Sequence, residues 1–395
     1  MNHSPFPVTL EESSCEWLSG VLGAPVTGFE TTFLEGAHLS NAYRLHAIAY
    51  GHDHPGPPSV VIKVAHHIKE IRDFAMAGRA YLKEVTFFSE LADRLPLRTP
   101  ILYGCFADAT PTAERFIIVM EDLARHSKVF DQVDDPPDEA SARQIARDIA
   151  RLHAYGWESD LTRLPWVGQP DGRYLPPLHF LSGAANASSP VFFGLWNQMY
   201  GRDFFEPGEA ALEELTHLLC GPRSAGIHRR IYDSLSSRPK TLLHGDLRAD
   251  NIFRTLAPQG TAHSEARLSY IDFQLVHAGP PGPDLTQAWV HSLEPAVRRQ
   301  EQHMLREYHD TLVGINPAAA SYTFDMLLED YTLTTCLWWT IAITLGSQTL
   351  RGFDRPEGAR QKRLWERAGY RMKSALSDLD CLSRIRELAA DLPDD

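Results

Sequence analysis

No lysine or arginine precedes Arg44. A secretory signal opens on a basic region and a transit peptide is rich in arginine, so neither is expected, and the cytoplasm is the expected compartment. Cysteine is scarce: the five, at 15, 105, 220, 336 and 381, form no close pair. Their spacing and odd number argue against a disulfide framework or a zinc site, and reduced thiols are expected. Positive charge is in deficit too, with 38 Lys and Arg against 51 Asp and Glu and a formal net charge of −13. Nucleic acid needs clustered basic residues and is not an expected partner; a cationic substrate is permitted. Residues 331–350 carry no charge and reach the length of a membrane span. That run holds six threonines, Ser347 and Gln348, and acidic residues 325, 329 and 330 stand just before it, so a buried helix is expected and membrane insertion is not. Eighteen histidines are present, yet His52, His54, His66 and His67 lie near turns with no carboxylate or cysteine cluster at ligand spacing, and surface positions are expected for them. No internal repeat is apparent. A chain of 395 residues, 43% hydrophobic and 23% charged, can hold two cores.

The chemistry concentrates in Thr241-Leu-Leu-His-Gly-Asp-Leu-Arg-Ala-Asp-Asn-Ile-Phe253, followed by Asp272 within Leu268-Ser-Tyr-Ile-Asp-Phe-Gln274. Transfer of a phosphoryl group from ATP asks a protein mainly to hold phosphates, magnesium and an acceptor hydroxyl in line while neutralising charge. Asp246 is a candidate base for the hydroxyl proton, and Asn251 and Asp272 offer the oxygen ligands that Mg2+ takes. The apolar, β-branched residues 241–243, 252–253 and 268–271 read as short strands that pin the loop.

His244-Gly-Asp246 with Asn251, then Ile271-Asp-Phe-Gln274, resembles the aminoglycoside phosphotransferase and choline kinase-like superfamily. The five positions between Asp246 and Asn251 match the kinase catalytic loop. The resemblance implies an α+β, protein-kinase-like fold of two lobes: a small β-rich nucleotide-binding lobe over 1–122 and a larger, mainly helical lobe over 123–395, with a helical insertion near 156–240. It also implies an order of parts upstream. Val60-Val-Ile-Lys63-Val-Ala resembles the strand whose lysine meets the α and β phosphates. Leu34-Glu-Gly-Ala-His-Leu-Ser-Asn-Ala-Tyr-Arg-Leu45 resembles the family's glycine turn, with Gly36 alone where two glycines are usual and Ser40 and Asn41 closing it. Glu84, on a helix whose apolar face is 81, 82, 85, 88 and 91, resembles the glutamate that orients the lysine, with Glu70 as its rival. Phe116-Ile-Ile-Val-Met120 and then Glu121-Asp-Leu123 resemble the strand and hinge against which adenine binds, at Glu121 and Leu123.

Other positions are read more plainly. Arg248 is either a phosphate-facing cation or a partner of Asp250 or the surface. Asp284 resembles an aspartate that braces the loop, and His153 and His244 are expected as hydrogen-bonded scaffold. Phe192, Phe193, Trp196, Tyr200, Phe204 and Phe205 line an acceptor pocket or, as the preferred reading, form core. The branch resembled is the choline-kinase-like, ecdysteroid-kinase-like one, through 303–312 and 322–331. Gln274 stands where a protein kinase has glycine after Asp-Phe, and no Ala-Pro-Glu follows, which favours a small hydroxylated molecule over a protein as acceptor. The expectation is an ATP- and Mg2+-dependent small-molecule kinase. The other reading is a catalytically silent nucleotide-binding regulatory protein. Acceptor and oligomeric state stay open.

Overall fold

The computed structural model describes residues 6–7, 9–34, 39–51, 56–169, 178–256, 267–350 and 358–393. It divides into two compact units: Met1–Val129, Leu164–Val167 and Asn251–Val276 form unit 1, and Phe130–Arg163, Gly168–Asp250 and His277–Asp395 form unit 2.

Unit 1 is built on a five-stranded antiparallel sheet of β1 (Val26–Leu34), β2 (Ser40–Tyr50), β3 (Val60–Ala65), β4 (Leu102–Ala107) and β5 (Phe116–Glu121), in the order β1-β2-β3-β5-β4. The β-branched run of β3 alternates faces with period two. Val60, Ile62 and Val64 join Leu45, Ile117, Val119 and Leu18 of helix α1 (Cys15–Leu22) in one core. Burial of each such side chain contributes ~1.5–3 kcal/mol. Ser14 caps α1 by accepting from Trp17 N. On the opposite face lie Lys63 and the helices α2 (Lys69–Ala77) and α3 (Ala80–Thr86), where the Tyr81 ring packs 4.6 Å from Phe116. A second sheet pairs Ser127–Val129, Ile252–Thr255 and Leu268–Tyr270, all antiparallel, with Ile252 opposite Tyr270. The apolar stretches on both sides of the motif are thus strands, as their composition predicts.

Unit 2 is mainly helical: α4 (Glu139–Gly156), α5 (Leu178–Tyr200), α6 (Ala210–Cys220), α7 (Ser224–Ser236), α8 (Gly282–Thr286), α9 (Pro295–Arg298), α10 (Glu301–Ile315), α11 (Phe324–Thr349), α12 (Gly358–Asp378) and α13 (Cys381–Ala389). Its short ribbon pairs Thr241–Leu243 with His277–Gly279. Asp138 caps α4 at Ser141 N, and Ala142, Ile145, Ala146, Ile149 and Leu152 bury one face at helical spacing. The uncharged run at 331–350 lies in α11, where the hydroxyls of Thr332, Thr335 and Thr344 donate to carbonyls one turn back. Among the described residues no helix is long and apolar enough to cross a membrane. Phe192, Trp196 and Phe204 are buried with Trp339 of α11, at 1%, 4%, 3% and 2% exposure, so the preferred reading of the aromatic run as core holds for them. Gly346 makes that approach possible, since a Cβ there would meet the Phe192 ring at 2.6 Å.

The expected fold class, α+β with a small β-rich part and a larger, mainly helical part, is the observed one. One expectation fails: His66 is 8% exposed rather than on the surface, stacked on His67 at 4.7 Å with its Nδ1 accepting from Ile68 N. Burial follows from its place at the end of β3, under Tyr81. His52 and His54 lie outside the described residues.

Candidate functional site

In unit 1 the site begins with a lysine whose strand phase turns it away from the α1 core. Lys63 Nζ donates to Glu84 Oε1 at 2.6 Å and to Asp272 Oδ1 at 2.8 Å. Residues 63, 84 and 272, far apart in sequence, therefore meet, and the rival Glu70 is exposed. Burial alone would lower the Lys63 ammonium, but Asp272 and Glu84 outweigh it and hold it above its ordinary range. Burial pushes the Glu84 carboxyl up to about 7 against the pull of Lys63, with Asp272 adding to the rise.

Asp272 sits in the left-handed region at φ 69°, a conformation that a non-glycine residue adopts at a cost of order 1–3 kcal/mol and that clusters at functional sites. Its neighbours hold it there. Phe273 stacks on Phe87, just beyond α3, with centroids 3.8 Å apart and planes 9° from parallel, and Gln274 Nε2 donates to Asp272 Oδ2 at 3.1 Å. Ile271 N donates to Asn251 O at 3.0 Å, which ties the two proposed metal ligands together across adjacent strands. A carboxylate and a side-chain amide oxygen, both hard donors, fit Mg2+.

Ser40 and Asn41 open β2 and are buried. Among the described residues no group bonds the Ser40 hydroxyl, whereas the Asn41 amide lies 3.0 Å from His67 Nδ1. Gly36 lies outside the described residues. At the hinge, the Glu121 carboxylate accepts from Arg98 at 3.2 Å and from Ile101 N at 3.1 Å, and Leu123 is buried at the start of a 3₁₀ turn. Sequence reasoning missed Asp122, which accepts from Arg44 at 2.9 Å, Ser59 at 2.8 Å and Ala124 N at 3.3 Å and so fixes the hinge main chain. It also missed Lys83, which is fully buried beside Glu84 and pushed down to about 8 by burial and by Arg79. The position just before a helix glutamate gives no signal for that.

In unit 2 the loop that carries Asp246 is held almost atom by atom. Asp284, fully buried, accepts from His244 N at 2.7 Å and Gly245 N at 2.9 Å. Gly245 has φ 86°, which is where the motif needs glycine. Asp246 N donates to His244 Nδ1 at 3.2 Å, Leu247 N donates to Gln287 Oε1, and Ala249 N donates to Ser292 Oγ at 2.9 Å. Gln287 Nε2 returns a bond to Gly245 O at 3.1 Å. The His153 ring lies 3.2 Å from Asp284 Oδ2 through Nε2 and 2.7 Å from the Tyr308 hydroxyl through Nδ1. Burial would raise the Asp284 carboxyl, but the His153 bond, His244 and Gly245 N hold it below its usual value. His153, His244 and Asp284 are thus the scaffold that their sequence context predicts. Asp246 keeps its carboxylate 17% exposed, 3.4 Å from Arg248 Nε. Asp250, the alternative partner of Arg248, instead accepts from Gln132 N at 2.9 Å. Two concavities within unit 2, of about 360 Å3 beside Arg238 and Lys240 and about 540 Å3 beside His303 and Arg306, include none of the motif residues.

A family model described as "Uncharacterized oxidoreductase dhs-27", DUF1679, which is the ecdysteroid-kinase-like family, matches residues 199–379. Among curated proteins none is significantly similar in sequence. Solved structures similar to this one include a protein assigned as an aminoglycoside phosphotransferase from Ralstonia eutropha JMP134, at 13% identity over 93% of this chain and 97% of that one, TM-score 0.49. Others are a Plasmodium vivax ethanolamine kinase, 12% identical over 88% and 82%, TM-score 0.46, and a Cryptosporidium parvum choline kinase, 12% identical over 91% and 93%, TM-score 0.45. They fall in the superfamily that the motif resembles. These values mark a distant likeness, and the activity named for each is that protein's own.

Proposed function

We propose that the chain is an ATP- and Mg2+-dependent phosphotransferase that acts on a hydroxyl group of a small molecule. The observation that carries this reading is the buried Lys63–Glu84–Asp272 cluster, with 2.6 and 2.8 Å contacts. A buried lysine held between two carboxylates, one of them on a left-handed turn next to a second oxygen ligand, is a costly arrangement for stability alone. Its ammonium suits phosphate oxygens and its Asp272 carboxylate suits a divalent metal that bridges to them. In this reading Lys63 holds the α and β phosphates, Glu84 aims Lys63, and Asn251 and Asp272 are the ligands that would hold magnesium. The metal, when bound, neutralises charge on the transferring phosphoryl group.

Asp246 accepts the acceptor's proton as its oxygen bonds to the γ phosphorus; the bond from that phosphorus to the bridging oxygen breaks, and ADP leaves with the electron pair. Arg248 lies beside the base and stabilises charge on the transferred group. The N–H groups of His244, Gly245 and Ala249, each bonded to a buried side chain, keep the base in one place.

Magnesium-dependent ATP consumption by the purified protein, measured across hydroxylated metabolites, sterols, amino alcohols and aminoglycosides, tests this. Acceptor-dependent turnover is expected, with Asp246→Asn losing ~10²–10⁴-fold in kcat and keeping ATP binding. Nucleotide binding without turnover on any acceptor would instead favour a silent regulatory protein, and unchanged turnover in Asp246→Asn would remove the base assignment.

A further inference from the structure

In the β2–β3 pairing Ser40 stands opposite Ala65, Asn41 opposite Val64 and Ala42 opposite Lys63. Opposed residues share a face and alternate residues return to it, so Ser40 and Lys63 are diagonal neighbours on one side of the sheet. The pairing begins at Ser40. Leu39, the residue before it, is held from a helix instead: the Tyr81 hydroxyl donates to Leu39 O at 2.7 Å and accepts from His66 N at 3.1 Å. Asn41 is held through its side chain, 3.0 Å from Nδ1 of the exposed His67, whose ring stacks on that of His66.

Tyr81 is completely buried, with its ring against Phe116. A phenylalanine would fill that space, so what the hydroxyl adds is the pair of bonds to main chain. The same helix, α3, carries Glu84 three positions on, and its carboxylate accepts from Lys63 at 2.6 Å. Residues three apart lie on one face of a helix. One face of α3 therefore holds both the lysine and the residue at which the chain enters β2.

We propose that Tyr81 and His67 are positioning residues for the nucleotide phosphates: by fixing Leu39 and Asn41 they set the start of β2 against the phosphates that Lys63 holds. The proposal rests on the kinase reading above and adds two residues to its nucleotide site. Both act through Leu39 and Asn41 rather than by touching the nucleotide. A segment fixed before binding loses less freedom when the polyphosphate arrives, so affinity rises without a new contact. The gain belongs to the phosphates and not to adenine, whose expected contacts at Glu121 and Leu123 lie toward the opposite end of β3, where Glu121 pairs with Val60.

The test uses the full chain and the variants Tyr81→Phe, His67→Ala and His67→Asn. Binding of adenosine and of a non-hydrolysable ATP analogue with Mg2+ is read by calorimetry, KM values by ATP consumption with an acceptor, and amide exchange at residues 39–41 by mass spectrometry, with the urea midpoint as the folding control. Tyr81→Phe and His67→Ala should each weaken the ATP analogue about tenfold, speed exchange at 39–41, and leave adenosine binding and the acceptor KM unchanged. His67→Asn, whose amide can take the place of the ring Nδ1, should recover part of the loss. If Tyr81→Phe does not fold, the two variants of the exposed His67 read the same segment. Weakened analogue binding in these variants without turnover on any acceptor would support the positioning role and remove the kinase reading; turnover with a KM for ATP that ignores both residues would do the reverse. Equal losses for adenosine and the analogue, or a lowered urea midpoint with nucleotide affinity unchanged, overturn the proposal, and a native chain that binds no nucleotide overturns both readings.

Discussion

A lysine and a glutamate 21 positions apart meet at 2.6 Å because strand phase and helix phase both turn them inward, and the resulting pair ties the proposed chemistry to pH. With the Glu84 carboxyl raised to about 7, it is ionised above that pH and takes up a proton as pH falls through it. The protonated form grips Lys63 less, so phosphate alignment weakens on the acid side. kcat/KM for ATP is therefore expected to fall below an apparent pKa near 7, a value that belongs to the coupled Lys63, Glu84 and Asp272 cluster rather than to one group. Glu84→Gln removes the ionisable partner, so its profile should lose that acid limb while its rate at neutral pH drops. A pH–rate series on both forms checks this, and an unchanged acid limb in Glu84→Gln would assign the limb to another group. At this scale the sequence was informative where chemistry restricts residue type, as at Lys63, Glu84 and Asp272, which the fold brings together. It was silent on Lys83 and Asp122, whose burial is set by what other strands and helices bring against them.

Elements explain why some of the site was legible and some was not. The three strands around the motif and the α4 face follow from composition and periodicity, and all are present. The brace on the loop was read at Asp284 and His244 alone. Gln287 and Ser292 do as much, but a π turn shifts the register by one residue and its contacts are with main chain, so neither periodicity nor residue type marks them. Glu121, expected at the nucleotide, has its carboxylate bound by Arg98 from a loop 23 positions earlier, a pairing fixed by sheet order rather than local sequence. The energetic weight of the brace can be measured. Asp284→Ala would leave His244 N and Gly245 N buried without their acceptor, and a loss of about 3–5 kcal/mol is expected from urea unfolding. Asp284→Asn keeps the shape and one acceptor oxygen, so its loss should be smaller while kcat falls with the misplacement of Asp246. Equal stability of Asp284→Ala and the native chain would show that water replaces the carboxylate freely.

For the molecule as a whole, stability against pH is a contest between buried groups of opposite tendency. Burial raises the carboxyls of Glu84, Glu301 and Asp330, so the folded chain holds their protons more tightly than the unfolded chain, and these groups favour the fold as pH falls. Burial pushes His228 and His291 down to about 4 from an ordinary 6.5, so the unfolded chain binds their protons first, and stability from these two is full above 6.5 and drains as pH falls toward 4. The net profile hides both contributions, and only a difference separates them. His228 is the cleaner probe: it is 1% exposed on α7, its Nε2 lies 3.2 Å from the Thr340 hydroxyl of α11, and it stands apart from the loop. A single histidine with these two pKa values contributes about 1–2 kcal/mol less at pH 5 than at pH 7. His228→Gln carries no such proton, so whatever packing it loses at pH 7, its deficit against the native chain should shrink by that amount at pH 5. Urea midpoints of the two proteins at both values measure the change directly, and a deficit that stays constant would mean that His228 reaches water in the folded state.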